Sequence, residues 1–410
     1  MNPFETLRSV ARFRGLQLDG TRRRLERAAN VSDLRRLAHR RLPAGVFDYV
    51  DGAAEDEVAL DRNHRGFRRL GLRPEVLRDV SDVDTTTTVL GRDVAFPLVL
   101  APTGFTRIVD PAGELAVARA AARAGIPYTL STLATRSIEE VAAVSDGDLW
   151  FQVYVWRDRG LVADMLRRAA ATGYRTIMIT VDTPVLGRRE RDVRHGFNLP
   201  PTLGLDTLLD GMLHPAWTWR FLRAEPIRFA NVVGHLVGDG SDPVTLSDYV
   251  NAQFDPALSW DELDWFRERW DGPIVLKGIQ TVQDAKAAAA AGIDAIALSN
   301  HGGRQLDDAP APIDLLPQVA DAVGSEVEIL CDGGIRRGSD IVKAVALGAR
   351  ACMAGRAYLY GLGAGGEAGV DHVLAHLRTG VERTMALCGR ASIADLDRTL
   401  IEDRPSTQTA

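Results

Sequence analysis

The segment 294–306 holds the residue types best suited to chemistry, in the order Asp-Ala-Ile-Ala-Leu-Ser-Asn-His-Gly-Gly-Arg-Gln-Leu. Its first half is an apolar run typical of a strand buried on both faces, and it changes abruptly into a polar cluster that contains Ser299, His301 and Arg304. An imidazole can transfer protons near neutral pH, and a guanidinium can hold a carboxylate through two hydrogen bonds. The segment therefore predicts acid–base chemistry on a carboxylate. The alternative is a solvated loop with an idle histidine.

Eight apolar segments predict the strands that must position these residues. They cover 94–101, 127–131, 149–154, 176–182, 273–277, 295–299, 328–332 and 351–355. Alanine-rich stretches with helical patterns lie between most of them. Strands that alternate with helices favour an α/β fold, a right-handed parallel (β/α)8 TIM barrel, with an N-terminal helical extension and a long loop after the fourth strand. No GxGxxG follows the first strand, which disfavours a dinucleotide-binding fold.

Several segments lie outside this alternation. Residues 1–41 hold eleven arginines against four acidic residues, which predicts a solvated basic arm and a helix over Val31–Arg41, capped by Ser32 or Asp33; attraction to anionic lipid is the alternative. The barrel domain is predicted over 42–400, with a disordered tail over 401–410. The connection 183–258 is long enough for a lid. Its Trp-rich stretch, HPAWTWRFLR, predicts packing against the barrel or another subunit, or contact with a membrane interface.

Composition excludes several classes of protein. The chain is 46% hydrophobic and 25% charged, as expected for a soluble protein with a large core. Its net charge of −6 argues against general nucleic-acid binding. Three cysteines without a CxxC pair predict neither a disulfide framework nor a metal site. No apolar run approaches the length of a membrane span, and the first residues do not resemble a signal peptide. We therefore expect a cytoplasmic protein, either free in the cytoplasm or peripherally bound to the inner face of the cell membrane.

Polar or glycine residues stand at the end of each predicted strand, where barrel chemistry occurs. They are, in strand order, Thr103 and Gly104; Ser131; Gln152 and Tyr154; Thr180 and Asp182; Lys277; Ser299, His301 and Arg304; Asp332, Gly333, Gly334 and Arg336; Gly355 and Arg356. Glycines and arginines after the last two strands suit a phosphate. The neutral side chains after strands two to four suit the edge of a heteroaromatic ring, and Lys277 is a cation beside it. Together these residues predict flavin mononucleotide (FMN).

Two arginines, Arg189 and Arg304, remain for an anionic substrate, with His301 as a base and Asp182 as its partner. Two guanidinium groups around one small site suit a monocarboxylate, whose α-carbon they would also orient. The residues alone thus predict an FMN enzyme that acts on a small carboxylic acid.

Several motifs resemble those of the FMN-dependent α-hydroxy acid dehydrogenases and oxidases over about residues 31–396. The most specific are FDYVDGAAEDE (47–57), TVDTPVLGRRERD (180–192), SNHGGRQLD (299–307) and DGGIRRGSD (332–340). The HPAWTWRFL and FDP-LSW stretches are most similar to the respiratory, quinone-linked L-lactate dehydrogenases of that family. A cysteine inside strand seven does not fit the nucleophile of an IMP dehydrogenase-like enzyme.

The resemblance implies a role for each residue. His301 would be the base and Asp182 its partner; Tyr49, Arg189 and Arg304 would bind the substrate carboxylate, and Tyr154 the hydroxyl. Lys277 would lie near flavin N1 and O2. The remaining implied FMN contacts are Thr103, Gly104, Ser131, Gln152, Thr180 and Ser299 at the ring and ribityl chain, with Asp332, Gly333, Gly334, Arg336, Gly355 and Arg356 at the ribityl and phosphate end.

Two departures bear on the substrate and the acceptor. Leu133 replaces the bulky tryptophan of glycolate oxidase, which favours lactate over glycolate, and Gly104 replaces an alanine near flavin N5, which leaves the electron acceptor open. We expect oxidation of an L-2-hydroxy acid, L-lactate to pyruvate, with electrons passed to quinone or another non-oxygen acceptor. The resemblance also implies a homo-oligomer, a tetramer, with peripheral membrane contact. The alternatives are an oxygen-using oxidase or monooxygenase, a larger mandelate-like substrate, and a flavoprotein sensor without turnover. Proton abstraction from Cα and hydride transfer both remain open.

Overall fold

A shell of helices precedes the barrel in the computed structural model, which describes residues 17–194, 204–232 and 252–403. Its elements are α1 (Gly20–Leu25), α2 (Val31–Arg41), α3 (Ala44–Asp51), α4 (Val58–Arg69) and the short strand β1 (Leu70–Leu72). α2 has its predicted bounds, but the predicted cap was wrong. Asn30 caps this helix, because its side chain accepts a hydrogen bond from the backbone N–H of Asp33 at 2.9 Å.

The described part of the predicted basic arm does not stand free in solvent. Leu25 at the end of α1, and Leu34 and Ala38 of α2, are buried in the main hydrophobic core. This part of the arm is therefore packed into the shell of the barrel, because its apolar face has a partner surface. Residues 1–16, which complete the predicted arm, lie outside the described residues.

The first predicted strand segment, 94–101, begins in a hairpin and not in a barrel strand. β2 (Thr87–Val89) and β3 (Arg92–Val94) pair in antiparallel register around Leu90 and Gly91. Val89 and Val94 pack into the barrel interior, and the backbone N–H of Leu90 donates to Glu328 at 2.9 Å, at the start of a later strand. The hairpin thus covers the N-terminal end of the barrel, opposite the end where chemistry is expected.

Eight parallel strands close the barrel, as predicted. They are β4 (Leu98–Leu100), β5 (Tyr128–Ser131), β6 (Leu149–Tyr154), β7 (Thr176–Thr180), β8 (Ile274–Ile279), β9 (Ala295–Leu298), β10 (Glu328–Cys331) and β11 (Ala351–Ala354). The register places Ser131 beside Gln152 and Thr180 beside Lys277. Because parallel strands end at one rim, the polar residues predicted after different strands become neighbours.

Helices surround this barrel. They are α5 (Gly113–Ala124), α6 (Ile138–Ala142), α7 (Arg159–Ala171), α8 (Glu190–Arg194), α9 (Leu205–Leu213), α10 (Pro215–Arg223), α11 (Leu263–Arg267), α12 (Val282–Ala290), α13 (Pro312–Val323), α14 (Gly338–Ala346), α15 (Arg356–Gly365) and α16 (Glu367–Leu387). α8, α9 and α10 belong to the long connection after β7. The sequence did not predict α15, the helix that begins directly after β11.

The predicted tail begins too early. Ile401–Asp403 forms a further strand, β12, which pairs in antiparallel register with β1. The pairing gives the backbone of this short segment hydrogen-bond partners, and therefore a fixed place on the barrel. Residues 404–410 lie outside the described residues.

Candidate active site

His301 and Asp182 form a buried pair at the C-terminal rim of the barrel. His301 Nδ1 lies 3.1 and 3.3 Å from the two carboxylate oxygens, and the Asp182 side chain is only 2% exposed. His301 has a φ of 57°, an unfavourable value for a residue with a Cβ, and its backbone N–H donates to Ser299 Oγ at 3.0 Å. Gly278 in β8 permits the pair, since a Cβ there would lie 2.6 Å from that of Asp182.

The electrostatics of this pair suit a general base. Burial lowers the pKa of His301, and the Asp182 carboxylate only partly opposes that shift. Burial alone would raise the pKa of Asp182, but the charges of His301 and Lys277 and the hydrogen bond from His301 hold it below its usual range. The imidazole is therefore neutral beside an ionised carboxylate. With Nδ1 engaged by Asp182, Nε2 is the nitrogen available to the pocket.

Two arginines converge near this imidazole. Arg304 Nη1 donates to the backbone carbonyls of Tyr49 and Gly52 at 2.8 and 2.9 Å, which leaves the rest of its guanidinium for other partners. Burial, together with the charges of Arg189 and Arg356, lowers the pKa of Arg304 to about 9. The Nε of Arg189 is buried and has no hydrogen-bond partner among the described residues. Clustered cations and a buried donor without a protein partner are the features expected of a carboxylate-binding site.

A ladder of neutral side chains forms the next part of the rim. Ser131 Oγ and the backbone N–H of Thr132 donate to Gln152 Oε1 at 3.1 and 3.2 Å, and Gln152 Nε2 donates to Thr180 Oγ1 at 2.9 Å. These bonds fix the orientation of the Gln152 amide, because its oxygen accepts from one side and its nitrogen donates to the other. Side chains of three neighbouring strands therefore set the orientation of this amide.

A buried lysine continues this rim. Lys277 is 3% exposed, and its Nζ donates to Ser299 Oγ at 3.0 Å and lies 3.6 Å from Asp332 Oδ2. Ser299 Oγ in turn donates to the same carboxylate oxygen at 2.8 Å. One hydroxyl and one carboxylate thus hold the lysine in place, and they fix the direction of its ammonium group.

Glycines and arginines form the far end of the pocket. Gly333 and Gly334 have φ values of 80° and 98°, so residues with a Cβ would be strained there. A Cβ on Gly355, the N-cap of α15, would have only Thr103 Cγ2 and Ala101 Cβ nearby, at 3.6 and 3.8 Å, so it would stand in the pocket itself. The backbone N–H groups of such a helix start attract phosphate.

The two arginines at this end differ in their partners. The side chain of Arg336 makes one hydrogen bond among the described residues, from Nη1 to the carbonyl of Ile335 at 2.8 Å. Arg356 donates to three carbonyls, those of Val50, Gly52 and Gly302, at 3.1, 2.7 and 2.8 Å. Arg356 therefore also joins the end of α3 to the loop that carries His301, a contact that the sequence did not suggest.

All but three of the predicted site residues line one pocket at the rim; Asp182, Ser131 and Ser299 lie behind its surface. The sequence missed two aromatic residues of this lining, Phe229 and Phe254, both from the long connection after β7. Phe254 packs edge-on against the Tyr154 ring, with centroids 5.2 Å apart. Neither belongs to a periodic pattern, so only the tertiary contact reveals them.

The pocket has the donor set that FMN needs. The phosphate end offers a helix start and arginines, the middle offers Asp332, and the ring region offers Gln152, Thr180 and Lys277. A Cβ on Gly104, at the other side of the ring region, would approach that of Leu133 to 3.0 Å, so the small residue keeps this corner open.

Comparison with known proteins extends these observations. Residues 38–403 match the family described as FMN-dependent dehydrogenase. A Mycobacterium tuberculosis protein with a provisional L-lactate dehydrogenase name is 50% identical over 391 residues, 95% of this chain and 93% of its own length. The L-lactate dehydrogenase of Caulobacter vibrioides is 43% identical over 92% of this chain and 98% of its own. The crystal structure of the monotopic membrane protein (S)-mandelate dehydrogenase superposes with a TM-score of 0.89 at 41% identity, covering 92% of this chain and all of that one.

Proposed function

The chain belongs to the family of FMN-dependent dehydrogenases, and we propose that it oxidises an L-2-hydroxy acid, L-lactate to pyruvate. The observation that carries the proposal is a neutral imidazole, fixed 3.1 Å from a buried carboxylate, in the same pocket as two converging arginines. A base beside a carboxylate-binding pair suits a substrate whose reacting carbon lies next to its carboxylate. The names of the relatives, lactate and mandelate dehydrogenases, support the same class of substrate.

Each residue then has a defined task. Arg304 and Arg189 hold the substrate carboxylate and so orient its α-carbon, and Tyr154 donates to or accepts from the hydroxyl. His301 Nε2 accepts one proton of the substrate, and the Asp182 carboxylate stabilises the imidazolium that results. FMN, when bound, accepts the electron pair of the oxidised carbon–hydrogen bond. Lys277 provides a fixed positive charge at the polar edge of the ring.

Apolar side chains define the place for the substrate tail. Leu133, Phe229 and Phe254 line the pocket beside Tyr154. They leave a corner at Gly104 and Leu133 that favours a methyl group or a somewhat larger tail over hydrogen. Anaerobic bleaching of the flavin by a panel of 2-hydroxy acids tests this preference. L-lactate should bleach it fastest, and faster bleaching by mandelate would support the larger-substrate alternative.

We propose quinone, or another acceptor that is not oxygen, as the destination of the electrons. The relatives named L-lactate dehydrogenase and (S)-mandelate dehydrogenase support this assignment. A solved structure of mandelate oxidase, 38% identical and covering 91% of this chain, represents the oxygen-using alternative. Turnover with L-lactate in air should be much slower than turnover with a short-chain quinone or a redox dye. Oxygen consumption at a rate equal to quinone reduction would contradict the dehydrogenase assignment.

We also propose that α9 and α10 form a membrane-contact surface. Large apolar side chains of both helices face solvent, among them Met212, Leu213 and Leu222 at 74%, 79% and 72% exposure, and the Arg223 guanidinium lies 4.0 Å from the ring centre of Trp219. Exposed apolar residues beside arginines suit the interface of an anionic bilayer. No helix in the described parts of the chain has the length and apolar character that crossing a bilayer requires.

A vesicle-binding assay tests this surface. The double variant Leu213→Ser/Leu222→Ser should bind vesicles with anionic phospholipid at least tenfold more weakly than the unchanged protein, since two buried leucines are worth roughly 3 kcal/mol or more. Leu387→Ser is the matched control, because Leu387 is 70% exposed at the end of α16. Equal binding by all three proteins would contradict the proposal.

We further propose a homo-oligomer, which light scattering of the purified protein tests.

A further inference from the structure

His64 is a half-buried histidine that no step above uses. It lies on α4, and its Nε2 is buried without a hydrogen-bond partner among the described residues. Buried polar atoms in folded proteins are nearly always hydrogen-bonded, directly or through water. An orphaned imidazole nitrogen therefore indicates that an additional partner belongs beside it.

The position of His64 connects it with the phosphate end of the main pocket. A groove lined by His64 and Phe67 is also lined by Gly334 and Arg336, and these two residues line the main pocket as well. α4 packs directly on this loop, since a Cβ on Gly334 would lie 2.5 Å from the Asn63 carbonyl oxygen. His64 thus lies in a groove that adjoins the end of the pocket expected to hold the phosphate.

The charges with the largest effect on His64 are positive. Burial and the nearby charges of Arg336, Arg356 and Arg68 lower the pKa of His64 to about 3, against a weak opposite effect of Asp51. His64 is therefore neutral at physiological pH in the absence of an anion. A phosphate dianion at this end would offset the three arginine charges and favour the protonated imidazole.

Four of the five acidic groups that line the groove have other partners. Asp51 accepts from Arg35, Arg191 and Tyr360, while Glu57 pairs with Arg191.

Two more carboxylates are likewise engaged, and none of them hydrogen-bonds to His64. Asp61 pairs with Arg65 at 2.7 Å, and Asp340 accepts from the backbone N–H groups of Arg336 and Arg337 at 3.0 and 2.9 Å. The remaining charged side chains of the lining are Asp56, Arg35, Arg191 and Arg337. Since no carboxylate of the groove bonds to His64, an external anion is the partner that the geometry favours.

We propose that His64 is a further contact of the FMN phosphate, and that it takes up a proton from solvent when the phosphate binds. The proposal rests on the assignment of the phosphate to Arg336, Gly355 and Arg356 made above. Bound imidazolium donates to a phosphate oxygen, directly or through one water, and so adds a charge-assisted hydrogen bond to the cofactor site. FMN affinity then depends on pH through a residue outside the flavin pocket.

Titration of the full-length apoprotein tests the proposal without measuring turnover. FMN and riboflavin are titrated by quenching of flavin fluorescence and by calorimetry at pH 6 in two buffers with different ionisation enthalpies. His64→Asn should weaken FMN binding roughly tenfold, as expected for the loss of one charge-assisted hydrogen bond, and should reduce proton uptake by up to about one per FMN. Riboflavin affinity should not change, because riboflavin has no phosphate.

Matched variants separate the outcomes. Arg65→Gln removes a solvent-facing charge from the same helix, and it should leave FMN affinity and proton uptake unchanged. An unchanged FMN affinity and proton count in His64→Asn would overturn the proposal. An equal loss for riboflavin would also overturn it, because it would indicate that His64 only supports the packing of α4. Arg336→Gln tests the underlying assignment separately: if it weakens FMN no more than riboflavin, the phosphate does not lie at this end.

Discussion

Replacing Asp182 with asparagine removes a negative charge that lies 3.1 Å from His301 Nδ1 in a buried pair. At an effective dielectric constant of about 20, an ion pair at this separation is worth about 5 kcal/mol. Asparagine still accepts a hydrogen bond, which retains about 1–2 kcal/mol of that stabilisation. The imidazolium formed during the reaction should therefore lose about 3–4 kcal/mol, and substrate oxidation should slow roughly 100- to 1,000-fold.

The pH profile gives this prediction a sign. Asp182 raises the pKa of His301 against the larger effect of burial, so its removal should lower that pKa further. In the variant, the acidic limb of kcat/KM should move to lower pH while the plateau falls. Anaerobic stopped-flow measurement of flavin bleaching by L-lactate, with flavin content checked by absorbance, provides both quantities.

A second His–Asp pair offers the control. His214 Nδ1 lies 3.1 Å from Asp210 Oδ1 on α9, outside the pocket, so Asp210→Asn removes the same group at the same distance from an imidazole. It should not change the rate with a soluble dye as acceptor. A loss of less than tenfold in Asp182→Asn, or an acidic limb that moves to higher pH, would refute the role given to this pair.

Three further outcomes follow from the same contacts. Arg304→Lys, which loses the planar two-bond geometry, should lower kcat/KM for L-lactate about 100-fold, and a change below threefold would contradict that role. Tyr154→Phe should lower kcat about tenfold with FMN affinity unchanged, as fluorescence titration can verify. The third outcome concerns Asp51. Burial alone would raise the pKa of the Asp51 carboxyl, but hydrogen bonds from Arg35 and Tyr360 hold it well below its usual range. The ionised carboxylate therefore stabilises the folded protein above pH ~4, and this stabilisation is lost as pH falls. Asp51→Asn should lower Tm by about 3 °C at neutral pH. An equally large decrease in Tm below pH 4 would contradict this role of Asp51.

Patterns local in sequence predicted most of the barrel and its rim. Each apolar run ends in polar residues, as between Leu298 and Ser299, and parallel strands bring such ends together. The site residues could therefore be collected from eight separate segments. Their pairwise contacts could not, because the 3.1 Å approach of His301 to Asp182 depends on a positive φ and on a glycine in a third strand.

The missed elements have physical causes. The β2–β3 hairpin turns at Leu90 and Gly91, both with positive φ, where asparagine or aspartate would normally precede the glycine. Helix α15 contains glycines that lower helix propensity, but a Cβ on Gly361 would lie 2.4 Å from the Gly369 carbonyl oxygen. Close packing of α15 against α16 requires Gly361, and single-sequence patterns do not report such packing.

Anaerobic mixing of L-lactate with the FMN-loaded protein tests the central claim most directly, when the unchanged chain is compared with His301→Gln. The unchanged protein should bleach its flavin rapidly with L-lactate and not with D-lactate. His301→Gln should remain yellow and flavin-loaded, with the rate of bleaching lowered by a factor of at least about 1,000, as expected for the loss of the base and its charge stabilisation. Bleaching of the variant at a rate near that of the unchanged protein, or equal bleaching by D-lactate, would contradict the account.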